Sequence, residues 1–207
     1  MADPPGRDRI LDAAERLFAE QGIEATSARA INAAADLSPA ALHYHFRNKE
    51  AVVHEVLRRR MLGINASRTE MVTQFIENGD PKDAVRLSEI IILPLVRYAI
   101  EMDAPGHWYI RFLSRLYVEK RQMVLDFLDA EHAEGLRLFD GLIQAAGPGL
   151  AMDEVVRRRI IAGEIIIHEL AKISEFLAES PKKRKVIDPW IRSLITFVAG
   201  GLASPPS

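Results

Sequence analysis

A chain of 207 residues with 48% apolar side chains is long enough to bury a core, as one large domain or as a head of about 50 residues on a body of about 150. Cysteine is absent, which excludes disulfides, thiolate chemistry and zinc fingers. The net charge of −2, with nine basic against nine acidic side chains in the first 60 residues, leaves any DNA contact to a few well-placed donors.

Apolar residues recur at three- and four-residue steps throughout, and no alternating β-branched run bounded by turns appears, so the pattern predicts an all-α protein. Asp3, Pro4 and Pro5 at the start are unlike a signal peptide, and no run of about 18 apolar residues occurs, so the expectation is a cytoplasmic protein without a membrane span. Ile10, Leu11, Ala14, Leu17 and Phe18 form the stripe of a first helix that Gly22 ends. Ser27 caps a second, short helix carrying Ile31, Ala34 and Ala35 inward, and Asp36 takes a tight turn. Ser38-Pro39 reads as a cap and first position of a third helix, through Leu42 to about Phe46. Asn48 caps a long fourth helix from Lys49 to about Glu77.

The body continues with a helix over 81–101 that Pro94 should kink, and a break at Asp103-Ala104-Pro105-Gly106. Helices over 108–119 and 123–146, a break at Gly147-Pro148-Gly149, a helix over 153–178 and a last one from Asp188 to about Gly200 complete about nine. Pro205-Pro206-Ser207 reads as a frayed end. Residues 1–50 are expected to form the head and 51–207 the body.

Two short helices joined by a tight turn place the second across a DNA major groove, so 27–46 reads as a helix-turn-helix. Ser27, Ile31-Asn32, Ala35-Asp36-Leu37-Ser38, Leu42-His43-Tyr44-His45-Phe46 and Asn48-Lys49-Glu50 together resemble the tetracycline-repressor family of bacterial transcriptional regulators, over roughly Arg7 to Leu57. Asn32, Asp36 and His43 depart from the alanine, glycine and tyrosine common there. The resemblance implies phosphate contacts at Ser27, His45 and Lys49, the last at a helix N-terminus. It places base reading at Arg29 and at Pro39, Ala40, His43 and Tyr44, of which Arg29, His43 and Tyr44 carry the polar groups and Pro39, Ala40 and Ala41 offer apolar contact, with Ser38 at the start of the DNA-binding segment. His43 and His45 point about 200° apart on a helix, which disfavours a shared metal. Arg58, Arg59 and Arg60 lie about 15 Å along the fourth helix from Lys49 and read as solvated or inter-helix residues.

By the same resemblance the body binds a small effector and forms a homodimer that reads an inverted-repeat operator, with no cofactor or metal. Tyr98, Met102, Trp108, Tyr109, Phe112, Phe127 and His168 are the candidates for effector contact, though each also fits ordinary core. Ile160, Ile167, Ala171, Trp190, Leu194 and Phe197 are those for the dimer interface, with burial inside one chain as the alternative. Glu164 and His168, four apart, suit a metal, an effector's polar group or a satisfied core pair. Pro181-Lys182-Lys183-Arg184-Lys185 reads as a loop rather than an import signal. The expected function is a repressor that a small molecule releases from DNA. A helical interaction protein without DNA binding stays open, as does an enzyme using Glu164, His168 or His132, although no nucleophile with an orienting partner appears.

Overall fold

The computed structural model describes residues 5–101, 103–147, 149–179 and 184–205. Eight helices stand among them: α1 (Pro5–Gln21), α2 (Ala28–Ala34), α3 (Ala41–His45), α4 (Lys49–Asn78), α5 (Ala84–Glu101), α6 (Asp103–Ala146), α7 (Met152–Glu179) and α8 (Arg184–Ala203). The two helices expected over 108–119 and 123–146 are one helix bent at Lys120, whose φ of −141° and ψ of 42° leave the helical region. Met102, Pro148 and the Pro181-Lys182-Lys183 part of the basic run lie outside the described residues.

Local chemistry accounts for most helix ends. Gly22 follows α1 with φ of 91°, and its N–H donates to the carbonyl of Phe18 at 3.1 Å. The Ser27 hydroxyl accepts from Ala30 N at 3.1 Å, and Asn48 Oδ1 accepts from Ala51 N at 2.9 Å, so both caps stand as read. Asp36 has φ of 52°, and Arg9 donates to its carbonyl at 2.9 Å and its carboxylate at 3.1 Å. Pro94 lies inside α5, which runs unbroken through it, and α8 starts four residues before Asp188.

Buried apolar residues form one continuous core from Ile10 to Leu202, and α4 runs from the head into it. α1 packs along α6, with Phe18 stacked on Phe112 at 5.8 Å, and α7 packs along α6 from the other side. Hydrogen bonds between Ser114 and His168 (2.8 Å) and between His107 and Ser174 (2.7 Å) fasten α6 to α7. Phe75, Leu87, Ile90 and Ala146 make a smaller cluster at the far end. Among the described residues one helix, over Val186–Ala203, is long and apolar enough to cross a membrane by length and composition. Ile187, Ile191, Leu194, Ile195, Val198 and Leu202 turn its apolar side inward, against α5 and α7, and Asp188 and Arg192 stand on its exposed side.

Candidate DNA interface and ligand cavity

The candidate reading helix α3 is five residues long, and the turn before it is built from a distance. Ser38 does not cap it: the helix starts at Ala41, no side chain bonds at the cap, and Pro39 and Ala40 form a turn. Asn32 does the fastening instead. It is 1% exposed, its Nδ2 donates to the carbonyl of Pro39 at 2.7 Å, and its Oδ1 accepts from Leu42 N at 2.9 Å. Both ends of one carboxamide thereby hold α2 and α3 in register. The sequence marks Asn32 only as a departure from alanine; its placement ten residues from Leu42 is what a local pattern cannot give.

Tyr44 is 84% exposed, and Arg29, Pro39, Ala40 and His43 are also exposed. Leu42 and Phe46 are buried, the guanidinium of Arg7 lies 5.2 Å from the Phe46 ring centre, and Arg7 pairs with Glu55 at 2.9 Å. His45 is half-buried, edge-on to Tyr44 at 4.9 Å, with Nε2 only 2.9 Å from where a Cβ on Gly6 would stand. Lys49 turns back into the head, where its Nζ donates to the carbonyl of Ile23 at 2.7 Å. Arg47, exposed in the turn before Asn48, adds a cation to this end of the head that the sequence reading left out.

Two sets of contacts tie the head to the body. Along α4, Arg59 donates to Glu15 at 2.8 Å and pairs with Asp12 at 2.9 Å, and Arg60 donates to Glu15 at 2.8 Å. These are the inter-helix contacts expected of the arginine run. Burial raises the Glu15 carboxyl above its ordinary value, while hydrogen bonds and charge from Arg60 and Arg59 pull it back. At the bend of α6, Glu119 Oε2 accepts from Ile23 N and Glu24 N, both at 2.9 Å, and Lys120 pairs with Glu24. A Cβ on Gly22 would stand 2.5 Å from the Glu119 carboxylate, so this turn needs glycine for space as well as for φ.

On both sides of the bend, α4, α5, α6 and α7 surround a cavity of about 560 Å³. Leu57, Met61, Leu113, Val124, Phe127 and Ile166 give much of its apolar wall; Asn65, Arg68, Tyr117, His132 and Arg159 bring polar groups. Of the residues expected to contact an effector, Phe127 lines it. Tyr98, Trp108, Tyr109, Phe112 and His168 do not, and Met102 falls outside the described residues. Phe112 packs on Phe18, and Tyr109, fully buried, donates to the carbonyl of Leu57 at 3.3 Å, with burial holding its phenol well above the ordinary value. Tyr98 stacks edge-on against Tyr109 at 5.6 Å. This aromatic group is core between α1, α5 and α6, because α1 occupies the face the sequence left open. His168 bonds Ser114, and Glu164 accepts from Arg121 at 2.6 Å, so each is engaged separately.

The presumptive dimer residues also divide. Ile167, Ala171 and Leu194 are buried within the chain, and Ile160 and Ile167 line the cavity. Trp190 is half-buried with its Nε1 donating to Glu169 at 3.2 Å, whereas Phe197 is 66% exposed. Ile161, which belongs to the apolar run of α7 read as pairing surface, is 56% exposed, and Val186 on α8, which the sequence reading did not select, is 61% exposed.

Residues 10–56 match the family model described as bacterial regulatory proteins, tetR family. Residues 89–201, more than half of the chain, match that of the tetracyclin repressor-like C-terminal domain. The HTH-type transcriptional repressor KstR2 of Rhodococcus jostii (strain RHA1) is 30% identical over 135 residues, 62% of this chain and 66% of that protein. KstR2 of Mycolicibacterium smegmatis is 42% identical over 52 residues, 25% of each. The matches thus span just under two thirds of one relative and a quarter of the other. Among solved structures, the fatty acid degradation regulator FadR from Bacillus halodurans has the same fold, with a TM-score of 0.61 at 17% identity over 99% of this chain and 97% of that one.

Proposed function

This chain belongs to the tetR family of bacterial regulatory proteins, and from that membership we propose that it is a cytoplasmic transcriptional repressor, released from a near-palindromic operator when a small molecule enters the body cavity. One observation carries the reading: α4 is a single helix whose capped N-terminus adjoins α3 and whose Leu57, Met61, Asn65 and Arg68 form a wall of the cavity. A ligand that binds better to one α4 orientation shifts the population toward it, and the spacing of two reading helices changes. The clasp of Glu119 and Lys120 on the turn at 22–24 is a second route, because Tyr117 and Val124, on either side of the bend, both line the cavity. His43, Tyr44 and Arg29 read bases in this account, Ser27, His45 and Arg47 meet phosphates while Lys49, engaged with Ile23, leaves the amides at the start of α4 to do so, and a second copy of the chain supplies the other half-site.

Fluorescence anisotropy of the full chain against genomic fragments at two salt concentrations tests it. Salt-sensitive binding that His43→Ala and Tyr44→Ala weaken is expected, with the salt slope falling by about one for Arg47→Ala. Tight binding indifferent to the first two substitutions would move the DNA surface away from α3.

A further inference from the structure

Inside the cavity the apolar lining is interrupted by one cation that the fold does not neutralise. Arg68 Nη1 donates to Asn65 Oδ1 at 3.2 Å and Nη2 to the carbonyl of Ile91 at 3.3 Å, both neutral acceptors. Its Nε is buried without a partner, and among the described residues no carboxylate pairs with it. The other ionisable groups of the lining are accounted for. Arg159 donates to Asp140 at 2.5 Å, Glu131 accepts from Arg58 at 2.7 Å, and Glu134 stands exposed at the rim. Burial lowers His132 below its ordinary value and favours its neutral form.

A cation taken out of water costs free energy unless an opposite charge meets it, and an arginine used only for structure is ordinarily held by a carboxylate, as Arg159 is here. A guanidinium keeps its charge under all ordinary conditions and presents five donors, of which Arg68 directs three, at Asn65, Ile91 and the sulfur of Met61, all neutral acceptors. The remaining hydrogens have no partner among the described residues, and a guanidinium among the lining residues can take the carboxylate of a ligand through charge-assisted N–H bonds. Leu57, Leu113, Val124, Phe127 and Ile166 offer an apolar wall in the same cavity, whose volume is in the range of small-molecule sites.

We propose that the cavity takes a ligand with an apolar body and a single carboxylate head, and that Arg68 is the residue that receives the head. The proposal rests on the reading of the cavity as the effector site and adds the ligand's chemical class. Asn65 positions the guanidinium, and the apolar wall sets the size and shape of the body that fits.

Isothermal titration of the full chain with decanoate, decanol and decylamine separates the two readings without any variant. Decanoate is expected to bind about tenfold or more tightly than decanol, and decylamine the weakest, since a hydrogen-bonded charge pair in an apolar site outweighs a hydroxyl contact. Arg68→Gln should erase the preference for decanoate while decanol binds as before, and Arg68→Met should leave the thermal midpoint level or higher because it removes a half-buried cation that no carboxylate meets. Decanol binding as well as decanoate, or a preference that survives Arg68→Gln, overturns the assignment of the head group while leaving the cavity as a ligand site. If none of the three binds, the cavity reading falls and the proposal with it.

Discussion

Asn32 uses its acceptor on the amide of Leu42 and its donor on the carbonyl of Pro39, inside a head that excludes water from it. Asn32→Ala would strand both backbone groups, at a cost of about 1–3 kcal/mol. Amide exchange over 39–46 should accelerate, and operator affinity should fall because α3 loses its seat. Asn32→Asp keeps the acceptor for Leu42 but turns a second oxygen toward the Pro39 carbonyl, so it should be no better than alanine. Exchange rates unchanged in both variants would mean that water replaces the amide at no cost. Glu15 makes a different prediction, in pH. Its carboxyl is raised by burial, so the folded protein binds that proton more readily than the unfolded chain. Its contribution to stability therefore declines as pH rises from about 4.5 through the raised value, and is level above it. Glu131, Glu154 and Glu169 are lowered, chiefly by hydrogen bonds from Arg58, Arg158 and Lys172, and contribute above about 4.5 what is lost in more acid solution. Urea midpoints of the native chain and Glu15→Gln across this range should give a difference curve that slopes against the native chain just above pH 4.5. A flat difference curve would show that Arg59 and Arg60 fully offset the burial.

Among the elements, the bend of α6 carries the most specific expectation. Glu119 accepts from two successive amides of the turn after α1, and that turn can form because Gly22 has φ of 91° and no side chain. Glu119→Ala should expose the amides of Ile23 and Glu24 to exchange. Gly22→Ala should cost about 1–2 kcal/mol from the left-handed backbone alone, before any displacement of Glu119. If Gly22→Ala leaves the unfolding midpoint unchanged, the turn is not held as described. Signals that act within about four residues were legible in the sequence: Gly22 as a stop, Ser27 and Asn48 as caps, Asp36 as a turn. The cap read into Ser38 was not made, because the acceptor for the start of α3 comes from Asn32, on another helix. The cavity was illegible for the same kind of reason. Periodicity finds the apolar face of α6 but not which part of it meets α1, and the aromatic stretch from Trp108 to Phe112 is packed away from the cavity, which is lined from Leu113 onward.

At the scale of the whole molecule, a palindromic operator requires two heads, and the chain leaves apolar surface where α7 and α8 face solvent. Phe197, Val186 and Ile161 are 66%, 61% and 56% exposed, which is more large apolar surface than these two helices need for their own packing. Leu194 and Ile167, on the same helices, are 5% exposed and belong to the chain's own core, so a pairing surface at Phe197 would use residues that folding does not. Substitutions can therefore separate the two. Leu194→Ala should destabilise the chain by about 2–5 kcal/mol, as truncation of a buried leucine does. Phe197→Glu, exposed in the single chain, should spare the fold of each protomer, yield monomers in sedimentation, and weaken operator binding about 10²–10⁴-fold through loss of the second head. The two effects predict opposite orders of severity in unfolding and in DNA binding, which a general loss of structure does not produce. If Phe197→Glu sediments as the native protein does, the pairing surface lies elsewhere and the half-site spacing must be derived from that other contact.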